Sequence, residues 1–373
     1  MKNKNILFLT LHTFGLTGGI EQVCKTFVKT LSDLNAQEKI KSFSVLSMYD
    51  DLPDLNYVES PNFHGHKGKQ INFGLNAVKK GLNADILILS HIHLLTFARI
   101  LKKLNPKLRV ILFAHGIEVW NNISNWKKEL LNQIEIWAVS NYTAMQLNNK
   151  IGISSKNIQV INNSLSPFFK QPEEKVKPDL LLKKYNLSEN QSVFLTVCRL
   201  SFSEQYKGYD LVIQSLKDLI KVYPDLLYLI VGKADLAEQE RINQLIKQCK
   251  LEKNIICTGF VSDAELSLHY QLADVFIMPS KGEGFGLVFI EAAANGCAII
   301  AGNRDGSTDA LLNGKLGQLV DPENTDAIYQ AMLYCLNNPM ALSKTLKQQQ
   351  MIEEHFSYKN YKDKVADLLN HNQ

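Results

Sequence analysis

Residues 275–295 read VFIMPSKGEGFGLVFIEAAAN. Four apolar residues at 275–278 end at Pro279 and Ser280; glycines follow at 282, 284 and 286, and an apolar, alanine-rich run occupies 287–295. A short apolar run, a turn and a helical run make a βα unit. The glycine-rich turn then lies at the carboxyl end of a strand, where α/β sheets bind ligands. Three glycines permit close backbone approach. The start of the following helix offers N–H groups to an anion such as phosphate. Glu283 and Glu291 stand eight residues apart across this unit.

The same alternation extends both ways. From residue 192 onward, strands are expected at 193–198, 227–231, 255–258, 275–278 and 298–301, and helices at 208–223, 237–249, 263–272, 287–295 and 325–336. In the first half, strands are expected at 6–11, 43–48, 86–90, 110–114 and 136–139, and helices at 19–34, 71–81, 94–103 and 141–150. Continuous apolar runs such as ILFLTL (6–11) suit parallel strands covered on both faces. Between the halves, residues 165–191 hold three prolines and much charge, which predicts a linker containing a short helix. The expectation is α/β: two Rossmann-like, doubly wound domains facing across a cleft, at 1–168 and 169–355. The amphipathic run 358–369 predicts that residues 356–373 pack back on the first domain.

The chain has 373 residues, 45% hydrophobic and 21% charged, enough apolar material for two soluble cores. Residues 1–170 hold 20 Lys and Arg against 11 Asp and Glu, a balance of +9 within a net charge of +4. A basic first half suits an anionic partner, a membrane surface or a phosphate-bearing substrate; solvated surface lysine accounts for it equally well. The cations are scattered and no aromatic RNP-like motif occurs, so no nucleic-acid partner is expected. Six widely spaced cysteines without a CxxC fit a reducing, cytoplasmic setting. Lys2 and Lys4 precede an apolar run, but polar and glycine residues soon follow, so a first β-strand fits better than a signal peptide. No apolar run reaches the roughly 18–20 residues of a membrane span.

Four stretches could carry chemistry. FGLTGGIE (14–21) is a glycine-rich turn opening a helix; it matches neither GxGxxG nor a P-loop, so Gly18 and Gly19 read as turn glycines or as a phosphate loop. His115, in AHGIEVW (114–120), directly follows a strand. Such a lone histidine is more often structural, and its carboxyl-end position makes it a candidate. Arg199 ends the first strand of the second half, and Lys207 opens the next helix beside Gly208. Two cations at the mouth of one βα loop match a diphosphate. In KGEGFGLVFIE (281–291), Glu283 and Glu291 suit hydrogen bonds to sugar and ribose hydroxyls. No Asp-x-Asp and no metal-spaced cluster occurs, so no metal or other cofactor is expected and the cations would neutralise a diphosphate.

These residues together resemble the retaining glycosyltransferases of the GT-B fold, family four, over nearly the full length and most strongly from 194 to 322. E-x7-E after a Pro-Ser strand end is the specific mark. The resemblance implies that Gly18 and Gly19 near the donor phosphates and sugar, and that His115 contacts the donor sugar. It implies that Arg199 and Lys207 bind the diphosphate, and that Gly259, Phe260 and Val261 hold the base through their backbone. Glu283 would contact sugar hydroxyls, Phe285, Gly286 and Leu287 would grip sugar and distal phosphate, and Glu291 would bind ribose. Catalysis would fall to His115, Arg199, Lys207 and Glu283. Two departures stand out. Residues 203–206 lengthen the Arg199-to-Lys207 spacing, and 302–307 read GNRDGS where many members have a Gly-Gly-x-x-Glu type sequence.

The resemblance implies a nucleotide-sugar co-substrate, GDP-mannose or a UDP-sugar, whose hexose passes to a glycan or lipid-linked acceptor in surface polysaccharide or lipopolysaccharide biosynthesis. A cytoplasmic enzyme, peripheral on the inner membrane face, is expected, with Lys67, Lys69, Lys79, Lys80, Lys102 and Lys103 as candidate contacts. The oligomeric state is not readable. The alternative is an epimerase or phosphorylase on the same fold. The first needs a facing acid and base, the second a pyridoxal-binding lysine, and neither stands out in the sequence. A non-catalytic sugar-nucleotide binder would be expected to lack one of Arg199, Lys207, Glu283 or Glu291, and all four are present.

Overall fold

A computed structural model describes residues 4–121 and 123–370. It falls into two compact units, Met1–Phe169 with Phe356–Gln373, and Lys170–His355.

The first unit runs β1 (Asn5–Thr10), α1 (Gly19–Ala36), β2 (Ser42–Ser47), β3 (Phe63–Gly65), α2 (Gln70–Gly81), β4 (Ile86–Leu89), α3 (Leu95–Leu104), β5 (Arg109–Ala114), α4 (Ile117–Trp120), α5 (Asn125–Leu131), β6 (Glu135–Ala138), α6 (Asn141–Gln146) and β7 (Ile158–Val160). Its parallel sheet is ordered β3-β2-β1-β4-β5-β6-β7. The chain moves outward from β1 to β3, then returns to β4 on the other side. The carboxyl ends of β1 and β4 therefore border a topological switch point, where open α/β sheets form a crevice. Both sheet faces are covered, which is why Ile6–Leu9 of β1 are apolar without a break. On one face Phe8, Phe27, Phe113 and Trp137 meet edge to face, with centroids 4.9 to 5.5 Å apart along the chain of rings.

The second unit runs α7 (Asp179–Tyr185), β8 (Val193–Val197), α8 (Tyr209–Leu219), β9 (Leu227–Val231), α9 (Leu236–Cys249), β10 (Ile255–Gly259), α10 (Asp263–Leu272), β11 (Val275–Met278), α11 (Leu287–Ala294), β12 (Ala298–Gly302), α12 (Ser307–Ala310), β13 (Gln318–Val320), α13 (Thr325–Asn337) and α14 (Leu342–Phe356). Its parallel sheet is ordered β10-β9-β8-β11-β12-β13, with the switch point between β8 and β11. The last helix, α15 (Tyr358–Asn370), belongs to the first unit. There the Arg109 guanidinium donates to the Leu368 and Leu369 carbonyls at 2.8 and 3.0 Å, capping the helix end. The Tyr358 hydroxyl donates to Asp33 on α1 at 2.8 Å.

Several details depart from the sequence expectation, among them the helices α5 and α14, which it did not contain. Strands β3, β7 and β13 have three residues each, too short to show a period. The helix expected over 141–150 narrows to α6 and continues as a wider turn, Leu147–Ile151, closed by Gly152 at φ +77°. The stretch 165–191 is not a free linker. Lys175 donates to the Gly296 carbonyl at 2.9 Å, Lys177 pairs with Asp274 at 2.8 Å, and Gln349 donates to the Pro172 carbonyl at 3.2 Å. These bonds tie residues 172–177 to the second unit, while 165–169 belong to the first. Among the described residues no helix is long and apolar enough to cross a membrane.

Candidate functional site

The second unit gathers its candidate residues at the switch point. Arg199 follows β8, and a 3-10 turn, Phe202–Lys207, leads into α8. The loop 279–286 follows β11. The two segments touch: the Lys281 N–H donates to the Tyr206 carbonyl at 3.0 Å, and a Cβ at Gly282 would meet the Tyr206 ring. The contact brings the Lys207 ammonium onto the Glu283 carboxylate as an ion pair, with each side chain 14% exposed. Burial alone would lower the Lys207 pKa, but the Glu283 charge outweighs it and holds the ammonium firmly protonated. Arg199 remains the more open cation and pairs with Glu204, a residue of the lengthened 203–206 stretch. Each expected phosphate-binding cation thus has a carboxylate partner from its own unit.

The 202–207 turn is held from below by Glu238, the third residue of α9. This carboxylate is fully buried. It accepts hydrogen bonds from Tyr209 Oη at 2.6 Å, Gln205 Nε2 at 3.0 Å and the Arg241 guanidinium at 2.5 to 3.0 Å. Burial pushes its pKa up, but the bonds from Arg241, Tyr209 and Gln205 win and depress it.

Loop 279–286 is clamped by the loop after β12. Asp305 there is fully buried. Its carboxylate accepts from the Glu283 N–H at 2.7 Å and the Ser307 N–H at 2.9 Å, while the Gly306 N–H donates to the Glu283 carbonyl at 2.8 Å. A Cβ at Gly306 would run into the Gly284 carbonyl, so glycine there lets the loops close. Burial, and then the Glu283 charge, push Asp305 up to about 6. A carboxyl raised in the fold stabilises most when protonated. Its contribution is full below the ordinary value of 3.8 and is lost as pH rises through about 6. Asp305→Asn removes that dependence. The stability of wild type relative to this variant should fall by about 3 kcal/mol between roughly pH 4 and pH 7, read from urea melts. Parallel pH curves would refute it.

Gly286 at φ +89° opens α11, and a Cβ there would meet the Phe289 ring at 2.5 Å. Phe285 is buried and Leu287 half-buried. Glu291, one turn into α11, accepts from Tyr270 Oη at 2.8 Å. Burial raises its pKa, and the Tyr270 bond opposes the rise. That bond fixes one carboxylate oxygen and leaves the other able to accept from a ligand hydroxyl. Gly259 ends β10 at φ +75°, with nothing within 4 Å of its Cβ position, and Phe260 beside it is exposed and Val261 half-buried. This is open backbone at the carboxyl edge of the sheet.

Gly18, Gly19 and His115 lie in the first unit. The loop after β1 is wound around the buried carboxylate of Asp50, which accepts from the N–H groups of Thr13, Phe14 and Gly15 at 2.6, 3.2 and 2.7 Å. Gly18 is extended, at φ 178°, and Gly19 opens α1. His115 stacks on Phe113 and its Nε2 donates to the Ser90 carbonyl at 2.9 Å, which sets the tautomer and leaves Nδ1 as acceptor. Burial lowers its pKa, against opposing pulls from Glu118 and Ser90, so the ring is neutral. His91, pushed down to about 4 by burial and the neighbouring His93, lies in the same region. Asp50, Glu204, Glu238 and Asp305 escaped the sequence reading, since only packing reveals their partners. The DGS departure at 305–307 was the one signal of Asp305. Among the described residues no group of three His, Cys, Asp or Glu could hold a metal ion.

The whole chain superposes on glycosyltransferase structures. Anabaena HepE in complex with UDP and glucose covers 98% of this chain and 99% of its own, with a TM-score of 0.78 and 18% identity. A glycosyltransferase of Rickettsia africae covers 99% and 100%, with a TM-score of 0.78 and 22% identity. At these identities the likeness is one of fold, and the fold is GT-B. Residues 179–356, nearly all of the second unit, match the family of glycosyl transferases group 1. A curated relative, the GDP-mannose-dependent α-(1-6)-phosphatidylinositol monomannoside mannosyltransferase of Mycobacterium tuberculosis, is 27% identical over 274 residues, 70% of this chain and 69% of the relative. The α-monoglucosyldiacylglycerol synthase of Acholeplasma laidlawii is 26% identical over 198 residues, 53% of this chain and 48% of that protein.

Proposed function

We propose that this chain is a retaining hexosyltransferase that moves a hexose from GDP-mannose or a UDP-sugar to a lipid-borne acceptor in surface glycan synthesis, at the cytoplasmic face of the membrane. The observation that carries the reading is the Lys207–Glu283 pair at the β8/β11 switch point, with Gly286 and Glu291 on the adjoining helix start. A donor diphosphate is a better partner for Lys207 and Arg199 than two monovalent carboxylates. On binding, it takes Lys207 from Glu283 and Arg199 from Glu204. Glu283 is then free to accept from a sugar hydroxyl, and Glu291 from the ribose. The acceptor hydroxyl attacks the anomeric carbon on the leaving-group face. The bond to the diphosphate oxygen breaks, and that oxygen takes the acceptor proton. Arg199 and Lys207 hold the developing charge in place of a divalent metal. The lipid-borne acceptor draws support from relatives that, by name, transfer mannose to a phosphatidylinositol monomannoside and synthesise α-monoglucosyldiacylglycerol.

The test is a thermal-shift series with GDP- and UDP-sugars, followed by transfer assays with the stabilising donor. One base should raise the melting temperature, the product should keep the donor's anomeric configuration, and EDTA should leave the rate unchanged. An inverted product sinks the retaining assignment, and loss of activity in EDTA sinks the metal-free one. An epimer or sugar phosphate formed from donor alone would replace the reading with a different reaction.

A further inference from the structure

Strand β13 is the outermost strand of the second unit's sheet, separated by β12 from β11 and its donor-site loop. The sheet is parallel, so Gln318, the first residue of β13, stands at its amino end, opposite those loops. Helix α13 runs back beside β13, and its last turn brings Asn337 and the capping Asn338 to the same end. Between strand and helix lies an open groove of about 460 Å³. That volume falls within the range of small-molecule sites, about 300–1,000 Å³. Nucleotides bind such sheets at the carboxyl end, so this groove is a separate place on the fold.

The floor of the groove is apolar, with Val320 and Ala331 buried. Its walls are polar and neutral, formed by the amides of Gln318, Gln330, Asn337 and Asn338. Bonds within the fold use only part of their capacity. The Tyr223 hydroxyl donates to Asn337 Oδ1 at 2.7 Å, which leaves Asn337 Nδ2 as a donor. Asn338 Nδ2 donates to the Tyr334 carbonyl at 2.9 Å, which leaves Oδ1 as an acceptor. Gln318 Nε2 lies 3.5 Å from Cys335 Sγ, which leaves Oε1. Gln330 is exposed and keeps both ends of its amide. Donors and acceptors therefore stand side by side. Tyr334 borders them with its side chain 55% exposed.

No side chain lining the groove is charged. A diphosphate or carboxylate ligand would find no cation there. A peptide adding to the sheet edge would find only the three residues of β13 to pair with. A neutral saccharide fits what is present. Each of its hydroxyls donates and accepts, as the amides do. The C–H face of a pyranose is apolar and weakly positive, and it suits the negative face of an aromatic ring such as Tyr334.

We propose that the groove between β13 and α13 is a second saccharide site, which takes a neutral oligosaccharide apart from the donor site. It goes beyond the transfer reading and does not depend on it, since none of its residues belongs to the donor loops.

The full chain is titrated by saturation-transfer NMR with isomaltotriose, maltotriose and mannotriose, and with trigalacturonate as the anionic control. At least one neutral trisaccharide should bind, and trigalacturonate should bind at least about tenfold more weakly. Tyr334→Ala should weaken the neutral sugar about tenfold, the scale of one lost stacked ring. Gln330→Ala with Asn337→Ala should weaken it by a similar factor. All three side chains are exposed, so melting temperatures should stay at the wild-type value. Failure of all three neutral sugars to bind overturns the proposal, as does equal binding of trigalacturonate. Binding that survives both variants also overturns it, by placing the sugar elsewhere. A wild-type dimer in light scattering that Tyr334→Ala abolishes overturns it by assigning the groove to a second copy. Sugar-nucleotide thermal shifts on the same preparations separate the two readings. Donor stabilisation without trisaccharide binding removes the groove alone, and trisaccharide binding without donor stabilisation removes the transferase reading alone.

Discussion

Lys207→Ala should cut turnover about 10²- to 10³-fold, the usual cost of deleting one preorganised group that stabilises charge in a water-excluded site. The lysine is 14% exposed, fixed by the Tyr206 turn and charged despite its burial, so under the proposed reaction it would meet a departing diphosphate with little reorganisation. The variant also leaves Glu283 without its cation, and breaking a pair this enclosed costs up to about 3 kcal/mol. The two losses separate by design. Adding Glu283→Gln removes the orphaned charge, so Lys207→Met with Glu283→Gln should recover most of the lost stability while turnover stays low. Transfer rates under saturating donor and urea melts on the same preparations give both readouts. Wild-type turnover in Lys207→Ala would remove this site from the reaction.

Glu238→Ala should be the most destabilising single change in the second unit, by about 3–5 kcal/mol, the range for orphaning one side of a buried charged network. Tyr209 Oη, Gln205 Nε2 and the Arg241 guanidinium all lose their acceptor at once. For a unit of this size the melting temperature should fall by about 10 °C. The 202–207 turn hangs from this carboxylate, so donor affinity should weaken with stability although Glu238 lies beneath the site. Because the native pKa of Glu238 is depressed, its contribution is present at neutral pH and is lost as pH falls through that lowered value. The gap between wild type and variant should narrow in acid. A loss below about 1 kcal/mol would show that Arg241 and Asp210 carry the turn without it.

The fold was legible because its strands are buried on both faces. A strand such as β11 must be apolar at every position, and the turn that ends it must carry Pro, Ser or Gly. Ten of the thirteen strands were legible from an apolar run, although some, such as β2 with Ser42, Ser44 and Ser47, are not apolar at every position. The three-residue strands β3, β7 and β13 were not, because pairing with a neighbour, not local composition, makes them strands. The C-terminal helix showed its amphipathic face in the sequence. Its dock against Arg109 is a contact across about 260 residues, which no local pattern encodes.

The KGEGFGLVFIE stretch marks the same division. Residue type and order alone determined a strand, a glycine turn, a helix start and two carboxylates, since each follows from local sterics and hydrogen-bonding capacity. Tertiary structure decided what those carboxylates do before any ligand arrives. Glu283 holds Lys207, its backbone is pinned by Asp305, and Glu291 is oriented by Tyr270. It decided as well that Arg199 is matched by Glu204 within the lengthened 203–206 stretch. The pairings of Glu283 with Lys207 and Asp305 depend on where separate βα loops converge at the sheet's switch point. That convergence is set by strand order, a property of the folded chain and not of any segment within it.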